Sequence, residues 1–262
     1  NKERISRSKT TPYFIEDNEN LIANGGVVVT TNPTTATTQQ SNAKQPIVQP
    51  TRLTNTHDEL KARGVAKVDV GVLPPNTTES QIIASVSGGD MTTGSCASVA
   101  FAYIGNKCGY EVGDFRGGES MKFFSRRRNL QEIATSVGGV LDSDVNDFKV
   151  ATRLLQTIDI GKEYYFFCAK HAAMVKKNDN GEYMYLELQS AVVNGWKEFN
   201  QKVLKRRFGA QKSHTFRGQK IKLSAGLIDS ELLANDSGFV EMLKYINTEP
   251  NKQRKGKSGS IK

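Results

Sequence analysis

"KEYYFFCAKHAAMVKKNDNGEYMYLELQS", residues 162–190, sets the class of fold. Two runs rich in aromatic and β-branched residues flank Asn-Asp-Asn-Gly, which reads as two antiparallel strands joined by a tight turn. A two-residue Asn180-Gly181 turn would pair Asp179 with Glu182 and set His171 opposite Ser190. A three-residue Asp179-Asn180-Gly181 loop pairs Asn178 with Glu182 instead, and sets His171 opposite Gln189 with Glu187 diagonal to it. The second register is the expected one, because it puts Gly181 where that loop needs a positive φ. With residues 162–177 taken as one strand, alternation puts His171 on the face of Phe167, Ala169, Ala173 and Val175. The favoured register then gathers His171, Glu187 and Gln189 on one face; a one-residue slip would separate them.

A thiol stands far upstream of this ribbon. In "TTGSCASVAFAYIG", residues 92–105, Cys96 follows a Gly-rich turn and opens a helical pattern. Ala97, Ala100, Phe101, Ile104 and Cys108 recur at helical spacing, Gly109 supplies the stop, and Ser95 is the expected N-cap. Free N–H groups and the helix dipole at such a position favour a thiolate. A cysteine, then a histidine on a strand, then an acid or amide on the next strand is the order of a nucleophile, its proton shuttle and the group that orients the ring. Cys96, His171, and Glu187 or Gln189 are therefore the candidate catalytic residues, and Ala172 and Ala173 leave room for a substrate chain. Each residue also has a plain packing role: a buried small hydrophobe for Cys96, a core imidazole for His171, a cross-strand lysine pair for Glu187, a hairpin-end cap for Gln189. Cys108 and Cys168 read as structural. Three cysteines without a CxxC pair form neither a disulfide framework nor a zinc site, and no metal or organic cofactor is implied.

Around these segments the chain divides into three. Residues 1–55 are rich in Thr, Asn and Gln and hold no sustained period, so they read as a flexible arm whose "GGVVVTT" could add a strand to a partner. Residues 56–248 read as one α+β domain, with helices first and paired strands later. Helices are expected at "HDELKARG", at "NTTESQIIASVS" with a Thr cap, before Gly138-Gly139, at "NDFKVATRLLQTI" with Asn146 or Asp147 as cap, at the basic "WKEFNQKVLKRRFG", and at "DSGFVEMLKYIN". Strands are expected at "VAKVDVGVL" and "QKIKLSAGLID". Residues 249–262 form a basic flexible tail.

The 262 residues carry a formal charge of +9, and the mean hydropathy is −0.49. Five of the 36 Lys and Arg lie in the tail after Pro250 with no acid among them, so the remaining chain is only about +4. The tail is expected to be solvated, with weak nucleic-acid contact as its alternative use. Arg126-Arg127-Arg128 and Lys205-Arg206-Arg207 read as solvated faces. "DFRGG", residues 114–118, reads as a loop over a cleft or an Asp114–Arg116 pair. His57 and His214 sit in polar segments and are set aside for chemistry. With no membrane-length apolar run and no signal-peptide core, the chain is expected to be soluble. Its Asn start suggests a precursor or a fragment.

"TGSCASVAFAYIG" together with "KHAAMVKKNDNGEYMYLELQS" resembles the papain-fold cysteine toxin and deamidase group, of the kind appended to phage minor head (head-morphogenesis) proteins. The likeness covers about residues 85–200 and matches Cys96, His171 and Glu187, with Gln189 after the spacer. This chain departs in having Glu rather than Asp in "LELQ", and in lacking a Gln before Cys96 to complete an oxyanion hole. That role would fall to the Cys96 N–H and a Thr92, Thr93 or Ser95 hydroxyl. The resemblance implies a papain-like fold and a cysteine hydrolase or acyl-transfer enzyme, a glutamine deamidase or a peptidase, acting on a protein or peptide. A toxin role follows from the likeness alone. Its rival is a virion structural protein with an idle papain-like domain, the arm docking on capsid or portal proteins. The phage particle and the bacterial cytoplasm are the compartments implied.

Overall fold

A computed structural model describes residues 51–87, 95–114, 117–189 and 195–247. The arm up to residue 50, the Gly-rich turn at 88–94, Phe115, Arg116, Ser190 and the basic tail lie outside the described residues, and so do the uses proposed for them.

In chain order the first half holds α1 (Thr54–Ala62), β1 (Gly71–Val72), α2 (Glu79–Ser87), α3 (Ser95–Lys107), β2 (Tyr110–Glu111), α4 (Gly118–Phe124), α5 (Arg127–Val137), β3 (Val140–Asp144) and α6 (Asp147–Leu155). The second half holds β4 (Glu163–Cys168), β5 (His171–Lys177), β6 (Tyr183–Leu186), β7 (Lys197–Glu198), α7 (Gln201–Arg206), β8 (His214–Phe216), β9 (Gln219–Ile221), β10 (Leu223–Asp229), α8 (Ser230–Ala234) and α9 (Phe239–Ile246). Local chemistry accounts for several boundaries. The Asn146 side chain accepts from the N–H groups of Phe148 (3.0 Å) and Lys149 (3.4 Å) at the start of α6. Thr78 and Gln81 exchange side-chain bonds with each other's N–H at the start of α2, a capping box. Gly138 takes φ +86° and ends α5.

Six strands form one antiparallel sheet in the order β3-β10-β4-β5-β6-β7. Alternation sends successive residues of β4 and β5 to opposite faces, and each face has its own core. Tyr165, Phe167, Ala172 and Met174 pack with the apolar residues of α1 to α5, α8 and α9. Phe166, Ala173 and Val175 pack with α6, Leu204 of α7, Phe199 and Phe208. The architecture is α+β, an antiparallel sheet with helices on both faces.

The turn at Asn178 forms in the expected register. Asn178 donates to Glu182 O at 2.9 Å, Gly181 has φ +79°, and the ladder pairs Lys177 with Tyr183 and Met174 with Leu186. Three other expectations are corrected. Residues 162–177 are two strands: the chain reverses at Ala169-Lys170, so Cys168 pairs with His171 and neither Phe167 nor Ala169 shares a strand with the histidine. No Gly, Pro or Asn marks this turn, and Ala169 adopts φ +50° to make it. Helix α3 is buried on every side rather than along one stripe, with Val99, Ala102 and Tyr103 as inaccessible as Ala100, while Cys108, one residue past its end, is exposed. The basic segment at 196–209 contains a short edge strand and only six helical residues. Strand β3, unforeseen, is polar enough to read as loop and gains its order by pairing with β10.

Candidate active site

Helix α3 and strand β5 bring the thiol and the imidazole together. Cys96 is the second residue of α3, His171 is the first of β5, and the sulfur lies near enough to the imidazole to help raise its pKa. By alternation His171 belongs to the Ala173 and Val175 face, whereas Cys96 packs with the core on the other face. A mid-strand side chain could not bridge those layers; the first residue of a strand, at the sheet's end, can. The Nε2 atom of His171 faces Oε2 of Glu187 at 3.0 Å. Glu187 lies one residue past the end of β6, on the face set by the Asn178 turn. Its second oxygen, Oε1, accepts from the Gln189 N–H at 2.8 Å. The His171 and Phe208 rings meet in a T-shaped arrangement, centroids 5.0 Å apart and planes at 81°.

Between the two candidates for orienting the ring, Glu187 contacts the imidazole directly. Gln189 stands behind it, and its Oε1 is 3.5 Å from an Arg207 nitrogen. Arg207 was expected in a solvated run and is corrected by the structure: its Nε donates to Glu187 and its Nη2 to the Gln189 carbonyl. One guanidinium fork thus holds the carboxylate and the backbone after it. Lys205 and Arg206, beside it, are exposed as expected. No feature of "KRR" singles out its third member; the helix phase of the half-buried Val203 and buried Leu204 is the one weak signal.

The electrostatics follow from burial and charge. Burial by itself would lower the His171 pKa, but the Glu187 carboxylate and the Cys96 sulfur outweigh it and push the pKa up to about 9. Burial would raise that of Glu187, yet the His171 and Arg207 charges hold it down to about 2. Both directions describe one arrangement, an imidazolium between a carboxylate and a sulfur, which is the partner a thiolate requires.

The backbone beneath His171 is braced as well. Arg127, also expected in solvent, donates to the Ala169 carbonyl and, at 2.7 Å, to that of Ser224. Lys170 N–H donates to Phe208 O at 2.9 Å. The strained turn that begins β5 is therefore tied to α5, β10 and the segment after α7. Ala172 and Ala173 do not line a substrate channel: each is in a different core, 3% and 1% exposed. Cys168 is buried against the Asp147 carbonyl, consistent with its structural reading. His57 meets Gly238 O at 3.1 Å, and His214 meets Asp147 Oδ2 at 2.6 Å. The Thr92 and Thr93 hydroxyls lie outside the described residues.

Cys96 is 1% exposed, His171 2%, Glu187 8% and Gln189 2%. Among the described residues no three or more His, Cys, Asp or Glu are placed to hold a metal ion, and no helix is long and apolar enough to cross a membrane. The fold and site thus define a buried Cys-His-Glu constellation on an α+β, antiparallel-sheet domain. No protein-family model, curated protein or solved structure matches the chain.

Proposed function

We propose that the chain is a cysteine-dependent hydrolase or acyl-transfer enzyme on a papain-like fold, acting on a carboxamide of a protein or peptide. The supporting observation is the Cys96–His171–Glu187 contact between a helix start and a strand start, with Arg207 behind the carboxylate. The Cys96 thiolate adds to the amide carbon, and the oxyanion meets the N–H groups that the first turn of α3 leaves unbonded. The His171 ring delivers its proton to the departing nitrogen, and a thioester forms. Water then adds to the thioester, His171 taking its proton, and the C–S bond breaks to release the acid and restore the thiolate beside the imidazolium. Ammonia departs if the amide is a glutamine side chain, an amine if it is a peptide bond. Both use the same groups.

One observation favours a second reading, a structural protein, such as a virion component, whose papain-like domain is idle: the sulfur is nearly inaccessible. Alkylation separates the two. Native protein is treated with iodoacetamide from pH 5 to 9, labelled peptides are mapped by mass spectrometry, and ammonia and amine release from a denatured protein substrate are followed in parallel. The enzyme reading expects Cys96 to label at pH 6, ahead of the exposed Cys108, and product release to vanish in Cys96→Ala. If Cys108 labels and Cys96 does so only on unfolding, the second reading stands.

A further inference from the structure

A two-stranded ribbon, β8 and β9, stands apart from the six-stranded sheet. Its foot is anchored: His214 Nε2 and Gln211 N–H both meet Asp147 Oδ2, at 2.6 and 2.9 Å. Phe216 shares a face with His214 one repeat further out, and the residue is 60% exposed. The Arg217 guanidinium lies over that ring, 5.3 Å from the centroid. Arg217 and Gly218 form the tip with φ +50° and +79°, a turn that favours Asn or Gly at its first position. An arginine held there bears backbone strain that a cheaper residue would relieve, which points to a use for its side chain.

Charge points the same way. Lys212, Arg217, Lys220 and Lys222 are exposed, and none has a carboxylate partner among the described residues. No Asp or Glu occurs between Glu198 and Asp229. We propose that the β8–β9 ribbon binds single-stranded nucleic acid, a base stacking on Phe216 and backbone phosphates lying along Arg217 and the lysines. An exposed aromatic face beside unpaired cations is how sequence-tolerant single-strand binding is built. A base already paired in a duplex offers no open face to the ring. The basic tail, with five Lys and Arg and no aromatic, is the competing source of any binding.

The test is fluorescence anisotropy of a labelled 20-nucleotide oligothymidylate with the full chain between 50 and 200 mM salt. Four phosphate contacts at about 0.7 each give a log–log salt slope near −3. Phe216→Ala weakens binding about tenfold at an unchanged slope, and Lys220→Ala with Lys222→Ala makes the slope shallower by about 1.4. Arg217→Gly, which relieves the strained turn, raises the thermal midpoint yet weakens binding. The inference is overturned if no binding occurs at 50 mM salt, if Phe216→Ala binds as tightly as the parent, if a duplex of the same length binds equally well, or if removing residues 251–262 alone abolishes binding.

Discussion

Replacing Glu187 by Gln keeps the shape of the side chain and removes its charge, and the consequence is a change in the pH dependence of stability. In the folded protein the His171 pKa is raised from the usual 6.5 to about 9. At about 1.4 kcal/mol per pH unit, that interval is about 3 kcal/mol favouring the charged ring when folded. Because the folded value lies above the unfolded one, this contribution is fully present below pH 6.5 and is lost as pH rises through about 9. The carboxylate reports the same interaction from its own side. Its folded pKa of about 2 lies below the ordinary 4.5, so its share is present above pH 4.5 and is lost as pH falls through 2. In Glu187→Gln the burial of the ring is no longer offset by the carboxylate, and the His171 pKa drops back toward or below 6.5. Urea unfolding of both proteins from pH 6 to 10 measures the difference directly, with the His171 ring protons followed by NMR. The parent should lose about 3 kcal/mol more than the variant between pH 6.5 and 9.5. The variant should also be the less stable protein at pH 6, because the buried ring and the Arg207 cation lose their shared partner. Parallel stability curves for the two proteins, or a His171 titration still near 9 in the variant, would mean that the Glu187 carboxylate does not set the charge on the ring.

Three further perturbations test neighbouring parts of the argument. Arg207→Met leaves the Glu187 carboxylate without its second cation at an 8% exposed position, and should lower stability at pH 7 by about 3 kcal/mol; Lys at the same place, having no fork, should recover only part of it in the urea midpoint. Ala169→Gly removes the penalty of a left-handed alanine, about 1–2 kcal/mol, but also a buried methyl, about 0.8 kcal/mol, so stability should hold or rise by up to about 1 kcal/mol with the His171 titration unmoved; a loss of about 1 kcal/mol or more would mean that the turn is not strained. Gly226→Ala drives a methyl to within 2.3 Å of the Phe167 ring and 2.8 Å of Leu141, so it should cost about 3 kcal/mol, and a thermal midpoint unchanged from the parent would contradict the packing across β4 and β10.

How much of the site could be seen in the chain depends on how far the cause lies from the effect. The Asn178 turn was legible because Asn-Asp-Asn-Gly is local chemistry: Gly181 must take positive φ, that choice fixes the register, and the register fixes which residues share the face of His171. The caps at Thr78 and Asn146 and the stop at Gly138 were legible for the same reason. The reversal at Ala169-Lys170 was not, because no residue there prefers a turn; it holds through Arg127 and Phe208, one 42 residues before Ala169 and the other well after it. Residues 162–177 contain two buried strands back to back, and an unbroken apolar run carries no mark of the break.

Arg207 shows the same division within the site. Three adjacent basic residues look alike in the chain, and only packing decides that the third bends inward to a carboxylate while its neighbours stay in water. Local propensities were enough for most of the helices, their caps and the register of the Asn178 ribbon, but not for β3, the split of residues 162–177 or the short α7. The tertiary structure alone decided that α3 is buried on all sides, that its second residue meets the first residue of β5, and that a distant guanidinium and a strained turn hold the ring in place. Those are balances between desolvation and charge over long separations, and no local pattern encodes them.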